Sequence, residues 1–196
     1  MKRLFDVLLS VAALAMLAPL LALIALLIRV AYGSPVFFRQ VRPGLHGKPF
    51  TIYKFRTMTD DWDENGWPRP DHQRLTAIGR FLRRTSLDEV PEFVNVIRGD
   101  MSLVGPRPLL MEYLPLYTEE QRRRHDLRPG MTGWAQIHGR NDVSWEQRFA
   151  LDVWYVDNRT LWLDFEILVL TILKVWTGEG VAAKGHATVR KFNVER

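Results

Sequence analysis

A chain of 196 residues with 47% apolar side chains is long enough for one compact domain with accessory elements and can build its own core. Its 27 Lys+Arg against 22 Asp+Glu give a formal net charge of +5, which suits an anionic partner: a nucleic acid, a phosphorylated substrate or an acidic membrane face. There is no cysteine, so disulfides, thiolate nucleophiles and cysteine-based zinc sites are excluded.

The run from Val7 to Ile28 carries no charge and has Ser10 as its only hydroxyl. At about 1.5 Å per helical residue it can cross a hydrocarbon core of roughly 30 Å, so a single transmembrane helix is the plain reading. Pro19 complicates it, because a proline near the middle removes a backbone hydrogen bond and bends a helix. So do the charges: Lys2 and Arg3 precede the run while Arg29, Arg39 and Arg42 follow it, and the positive-inside rule gives no orientation. A helix broken at Pro19 that enters and leaves by the same leaflet satisfies both flanks, whereas a straight span also tolerates proline. A cleaved signal peptide is the third reading, weakened by the length of the run and the lack of a convincing cleavage site.

Residues 34–196 read as a compact α/β domain of the α+β kind, mostly helical, with no internal repeat. Val36 to Val41 and Phe50 to Met58 are predicted strands joined by the turn-rich Arg42-Pro43-Gly44-Leu45-His46-Gly47. The acidic run Asp60-Asp61-Trp62-Asp63-Glu64, beside Asn65-Gly66 and Pro68-Arg69-Pro70, reads as a solvated loop rather than a metal site. A helix is expected from Thr76 to Arg84 with Ile78, Phe81 and Leu82 inward. In the next, Val90, Phe93, Val94 and Ile97 fall at i, i+3, i+4 and i+7, with Asp88-Glu89 at the start and Arg98-Gly99 as the stop. Thr118 to Gln121 and Ser144 to Gln147 have capping-box spacing and predict further helix starts. From Leu161 to Trp176 an apolar stretch carries Asp164, Thr171 and Lys174 on one helical face and Trp162 and Trp176 at its ends, which fits either a helix lying at a membrane interface or a buried core helix.

Asp88 and Glu89 draw chemical interest because they stand at a helix mouth just after Arg83, Arg84, Thr85 and Ser86. Ser86 to Glu89 has capping-box spacing, but a cap there would put Pro91 inside the hydrogen-bonded turns, whereas a cap at Asp88 puts it in the harmless first turn. A carboxylate in that place is held anionic by the helix dipole and can be a nucleophile, a metal ligand or only a cap. Basic residues punctuate several turns: Lys54 and Arg56 in Lys54-Phe55-Arg56-Thr57-Met58, Arg107 in Gly105-Pro106-Arg107-Pro108, and Arg140 after Gly139. Taken singly most are ordinary solvated charges, but two flanking prolines preorganise the Arg107 fork for phosphate oxygens. The stretch Arg128-Pro129-Gly130-Met131-Thr132-Gly133-Trp134 has the composition of a mobile substrate loop.

In this order, Lys54 to Met58, Thr85-Ser86-Leu87-Asp88-Glu89-Val90-Pro91, Gly99-Asp100-Met101-Ser102-Leu103-Val104-Gly105-Pro106-Arg107-Pro108 and Arg128 to Gln136 resemble the motifs of the bacterial sugar transferases, the monotopic phosphoglycosyl transferases. The small size and the tail Gly185-His186-Ala187-Thr188 are similar to the minimal members that handle a diacetamido-trideoxy sugar. The resemblance implies a re-entrant helix over residues 1–33, a catalytic domain over 34–196 with interfacial helices on the cytoplasmic face of the inner membrane, a UDP-sugar donor carrying an N-acetylated amino sugar, undecaprenyl phosphate as acceptor, and Mg2+. It further implies a covalent phosphosugar on Asp88, which would also be the magnesium ligand. Glu89 would be its partner, accepting a proton or positioning the lipid phosphate, and Lys54, Arg83, Arg107 and Arg140 the phosphate contacts. Two departures stand out. Ala18-Pro19 replaces the Ser-Pro pair common in the family, so no serine hydroxyl can help satisfy the freed carbonyls, and Glu92 replaces a common glutamine.

Such residues suit phosphoryl transfer, which needs positioned cations and an in-line nucleophile. A phosphohydrolase would use the same carboxylates and cations with water as acceptor. A membrane-tethered nucleic-acid binder would use the basic charge but gives the acidic pair no role, and a noncatalytic scaffold predicts no turnover.

Overall fold

The computed structural model describes residues 1–138, 144–177 and Phe192. Its first element, α1 (Lys2–Tyr32), has 31 residues and is about 46 Å long at the usual helical rise. Among the described residues it is the one helix long and apolar enough to cross a membrane. Pro19 lies inside it and the helix runs on past. The expected break at Pro19 does not interrupt the helix: the proline removes one N–H, and with it the bond to the Ala15 carbonyl, while the bonds of the neighbouring turns carry the helix on.

Both ends of α1 are tied to the same globular body. At the amino end Lys2 Nζ lies 2.5 Å from Asp164, Arg3 donates to the Ile97 carbonyl at 3.0 Å, and Ser102 donates to the Asp6 carboxylate at 2.7 Å. At the other end Arg56 donates to the Tyr32 and Ser34 carbonyls at 3.3 and 3.4 Å, and the Tyr32 hydroxyl bonds Thr76. Ile24 and Ile28 are buried with Phe55 and Leu82, while Leu8, Leu20, Leu23 and Leu27 remain exposed. A row of exposed leucines that large marks contact with another apolar phase.

β1 (Phe37–Pro43) and β2 (Pro49–Phe55) form the expected antiparallel hairpin, Phe37 opposite Phe55 and Pro43 opposite Pro49. β2 ends three residues before Met58, because Met58 leaves the hairpin to bridge with Leu75. After the short α2 (Asp71–Arg74) comes α3 (Ala77–Arg84), where the Thr76 side chain caps Gly79 at 2.9 Å. Leu82 is buried and Ile78 packs beside it, but Phe81 is half exposed, contrary to expectation. Positions 78 and 82 define the inward line, and Phe81 sits about 100° away from Leu82 around the helix.

α4 (Glu92–Arg98) corrects a larger expectation. The predicted apolar stripe is present, yet α4 fully buries Glu92, Asn95 and Val96. The helix is sandwiched between β2 and α1, so both of its faces are used. Val94 lines an apolar groove together with Leu14, Leu21 and Ala25 of α1. The polar side meets β2: Asn95 Nδ2 donates to the Thr51 carbonyl at 2.7 Å and its Oδ1 accepts from Tyr53 N–H at 3.2 Å. One asparagine thus fixes the strand that carries Lys54.

β3 (Ser102–Val104) and β4 (Gly130–Thr132) pair in parallel. The segment expected as a mobile loop is therefore anchored in the interior. The remaining helices are α5 (Glu119–Arg122), α6 (Trp134–His138), α7 (Trp145–Asn158) and α8 (Leu161–Thr177). Both predicted capping boxes form, at Thr118–Gln121 and Ser144–Gln147. α8 turns its polar side inward: Asp164 accepts from Tyr155 at 2.5 Å, Thr171 bonds Thr132 at 2.7 Å, and Lys174 donates to the Ile137 carbonyl. Its outer face presents Trp162 (74% exposed), Phe165, Ile172, Leu173 and Trp176 (87% exposed). Its inner face also buries Leu163 and Ile167, so α8 is apolar on both sides, and the large exposed apolar face favours the interfacial reading over the core reading. The main core gathers Ile52, Val96, Met101, Leu103, Tyr155 and Ile167 between the hairpin, α4 and α8.

Candidate active site

Asp88 and Glu89 lie in a 3-10 turn, Leu87–Glu89, that leads through Val90 and Pro91 into α4. Ser86 adopts a left-handed backbone at φ 55 and its side chain makes no cap bond, so neither expected cap forms. A non-glycine residue in that region is strained, and such strain persists where the surroundings hold it. The bend brings both carboxylates next to β2 and the Arg107 turn.

Lys54 Nζ stands 2.6 Å from Glu89 Oε1 and 3.1 Å from Glu92 Oε1. Arg107 meets Glu89 with both Nη atoms, Nη1 lying 3.3 Å from Oε2. Burial alone would raise the Glu89 pKa, but Arg107 and Lys54 outweigh it and hold this carboxyl well below the usual carboxylate range. Glu89 lifts Arg107 in return. Lys54 is disfavoured by its burial, yet Glu89 and Glu92 more than offset this and leave its pKa above the ordinary lysine value. A carboxylate so firmly anionic is a poor proton acceptor. The contacts of Glu89 are with Lys54 and Arg107, which it aligns, a role different from both of those implied for it, accepting a proton and positioning the lipid phosphate.

Asp88 is different. It is buried, and among the described residues it is engaged by no ion pair. Burial, and then the charge of Glu89, raise its pKa against the pull of Lys54, Arg83 and Arg107. The expectation of a carboxylate held anionic by a helix dipole is corrected here, since α4 begins only at Glu92 and burial governs. The result is a carboxyl that binds its proton more readily than an ordinary aspartate, with three cations near it. Arg83 is placed by its Nε, which donates to Thr57 Oγ1 at 3.1 Å, and by Gly79, where a Cβ would come within 1.9 Å of the Thr57 carbonyl. Lys54, Arg83 and Arg107 are thus gathered around the acidic pair, whereas Arg140 lies outside the described residues.

Among the described residues no group of three or more acidic or histidine side chains is arranged to hold an ion. Asp88 offers one uncommitted carboxylate beside two committed ones. That donor set fits magnesium, which is commonly held by one or two carboxylates together with substrate phosphates.

Glu92 was visible in the sequence only as a departure from a motif. It is 1% exposed, and burial lifts its pKa to about 7, with Lys54 opposing and Glu89 adding to the rise. A carboxyl raised in the folded state contributes stability at low pH that is lost as pH rises from the unfolded value through about 7. Glu92→Gln removes that titration. The variant's melting temperature relative to the parent is expected to climb between pH 5 and pH 8, read by thermal unfolding in one detergent across that range. A constant difference would show that Glu92 does not titrate there. Arg42 also faces this cluster: its burial and Arg107 lower its pKa, and Glu92 opposes them.

The whole arrangement can hold a diphosphate between cations while presenting one carboxylate oxygen. The chain matches the family model described as bacterial sugar transferase over residues 1–178. It is 56% identical over 192 residues to the protein of Bacillus subtilis named "Uncharacterized sugar transferase EpsL", covering 98% of this chain and 95% of that one. It is 40% identical to the undecaprenyl-phosphate galactose phosphotransferase of Salmonella typhimurium, over 92% of this chain and 41% of that protein. Against the UDP-glucose:undecaprenyl-phosphate glucose-1-phosphate transferase of Escherichia coli it is 39% identical, over 89% and 40%. The chain spans about two fifths of the length of these last two relatives.

Proposed function

This chain belongs to the bacterial sugar transferase family, and from that premise we propose that it transfers a sugar 1-phosphate from a UDP-sugar to undecaprenyl phosphate at the membrane. The observation that carries the reading is Asp88: a buried carboxylate without an ion pair among the described residues, beside Lys54, Arg83 and Arg107, on a body to which an apolar helix is tied at both ends. In the first step an Asp88 oxygen attacks the sugar-bearing phosphorus of the donor. An O–P bond to Asp88 forms, the diphosphate bridge breaks, and uridine monophosphate leaves with the bridging oxygen. In the second step a phosphate oxygen of the lipid attacks the same phosphorus and returns Asp88 to a carboxylate, so no net proton is needed. Lys54 and Arg107, aligned by Glu89, balance charge on the transferred group, and Arg83 and Arg140 are further phosphate contacts. Magnesium held by Asp88 and the donor phosphates would supply additional positive charge.

Two of the relatives reported above are named for galactose or glucose transfer, whereas for this chain the proposed donor carries an N-acetylated amino sugar. Incubation with a panel of UDP-sugars, with and without polyprenyl phosphate, tests the reading through uridine monophosphate release. Transfer requires lipid for repeated turnover. Equal turnover without lipid would make the protein a phosphohydrolase.

The membrane arrangement follows the same logic. Lys2, Arg3 and Asp6 at one end of α1, and Tyr32 at the other, all contact one domain, which supports a re-entrant path with both ends on the cytoplasmic side. The chain has no cysteine, so single cysteines placed ahead of Lys2 and at Ser34 are unique labels. Both are expected to resist an impermeant thiol reagent in intact cells and to react after permeabilisation. Labelling of either from outside would sink the re-entrant arrangement.

A further inference from the structure

The Gly105-Pro106-Arg107-Pro108 turn is held from three directions. Gly130 N–H donates to the Pro106 carbonyl at 3.0 Å, and Gly105 N–H to the Thr132 carbonyl at 2.9 Å. The third hold is a side chain: Arg124 Nη2 donates to the Arg107 carbonyl at 2.8 Å. Arg124 lies in the 3-10 turn that follows α5, with a side chain 1% exposed. Its Nε and Nη2 reach one oxygen of Asp152 on α7 at 3.1 and 2.6 Å. The rings of Tyr117 and Phe149 flank the guanidinium, their centroids 5.8 and 5.7 Å away.

A buried ion pair adds little net stability over apolar side chains of the same volume. An apolar pair could not, however, donate to a backbone carbonyl. Here that carbonyl belongs to the residue whose side chain grips Glu89. We propose that Arg124, oriented by Asp152, is a positioning residue for Arg107, fixing the peptide after it so that its fork meets Glu89. The series runs Asp152, Arg124, Arg107 carbonyl, Arg107 guanidinium, Glu89. It links α7, on the far side of the turn, to the acidic pair without touching substrate.

Replacing both partners, Arg124→Met with Asp152→Leu, removes the two charges of the pair together; Arg148, whose charge Asp152 also supports, loses that one favourable neighbour. The full chain in nanodiscs is expected to keep its melting temperature within a few degrees, while amide exchange over residues 103–110 rises by about tenfold. Turnover should fall on the order of 10²-fold, the usual consequence of a misplaced catalytic group. In an Arg107→Lys background, where the fork is already lost, the same double change should lower the remaining turnover less than about threefold. Equal losses in the two backgrounds, or unchanged exchange, would overturn the inference. If the double variant does not fold, Arg124→Lys enters the same cycle, because one ammonium on Asp152 cannot also reach the carbonyl in the arginine geometry. The same non-additivity is expected, and additivity overturns it. The turnover arm rests on the proposed transfer reaction; the exchange arm does not, and decides the positioning role even in a preparation that releases no uridine monophosphate.

Discussion

Asp88→Asn is expected to abolish both the donor-only burst of uridine monophosphate and any covalent adduct, with turnover down at least about 10³-fold. Asparagine keeps the shape but replaces the anionic carboxylate with a neutral, weakly nucleophilic amide. The loss should not come from unfolding. Because burial and Glu89 raise the Asp88 pKa, its ionised form is disfavoured in the folded state, and that penalty grows as pH rises through the folded pKa. A neutral amide escapes it, so at pH 8 the variant should melt at or above the parent. Intact-protein mass spectrometry after incubation with donor alone reads the result directly. The parent should gain one sugar phosphate, mapped by peptide analysis to Asp88. An adduct that maps to Glu89, or persists in Asp88→Asn, would falsify the assignment. Steady-state kinetics requiring both substrates bound together would count against the covalent route itself.

The second large effect is expected at a glycine that touches the backbone of the Arg107 turn. Gly130→Ala places a Cβ 2.1 Å from the Gly105 nitrogen, 2.4 Å from the Thr132 oxygen and 2.6 Å from the Gly105 oxygen, all backbone atoms with no rotamer to yield. The β3–β4 pairing and the Arg107 turn must separate, disrupting the bonds from Gly105 to Thr132 and from Gly130 to Pro106. Overpacking together with lost buried hydrogen bonds costs about 3 kcal/mol or more, roughly 10 °C in melting temperature for a chain of this size. Activity should fall with it, since the turn carries Arg107. Gly66→Ala is the control: its φ of 75 makes alanine strained, but nothing lies within 4 Å of the added Cβ. That variant should lose only about 1 kcal/mol. Equal melting of Gly130→Ala and the parent would show that the close approach of these two strands is not needed.

Family and reaction class were legible in the linear order of motifs, because such motifs place chemical groups at fixed local spacings. The hairpin and both capping boxes were legible for the same reason: their hydrogen bonds join residues close in sequence. The helix over 92–98 was legible too, yet not which of its sides would be buried. Periodicity reports that a helix has an apolar stripe; it does not report that α1 and β2 lie on opposite sides of it.

Side-chain partners across long separations were decided by tertiary structure alone. Arg107 read as a preorganised phosphate fork, but it faces Glu89, 18 residues earlier, and its carbonyl is held by Arg124. Residues 128–134 read as mobile because glycines permit motion; equally they permit contact, and here Gly130 lets two backbones meet. Glu92 and Asp88 look alike in sequence, yet one is packed against Lys54 and the other is left without an ion pair among the described residues. The sequence by itself determined which groups the protein has and which local bends present them. The tertiary structure determined which carboxylate is clamped between two cations and which two are raised by burial, because burial and Coulomb interactions depend on distance in space: Glu89 is held down by Arg107 and Lys54, 18 and 35 residues away in the chain.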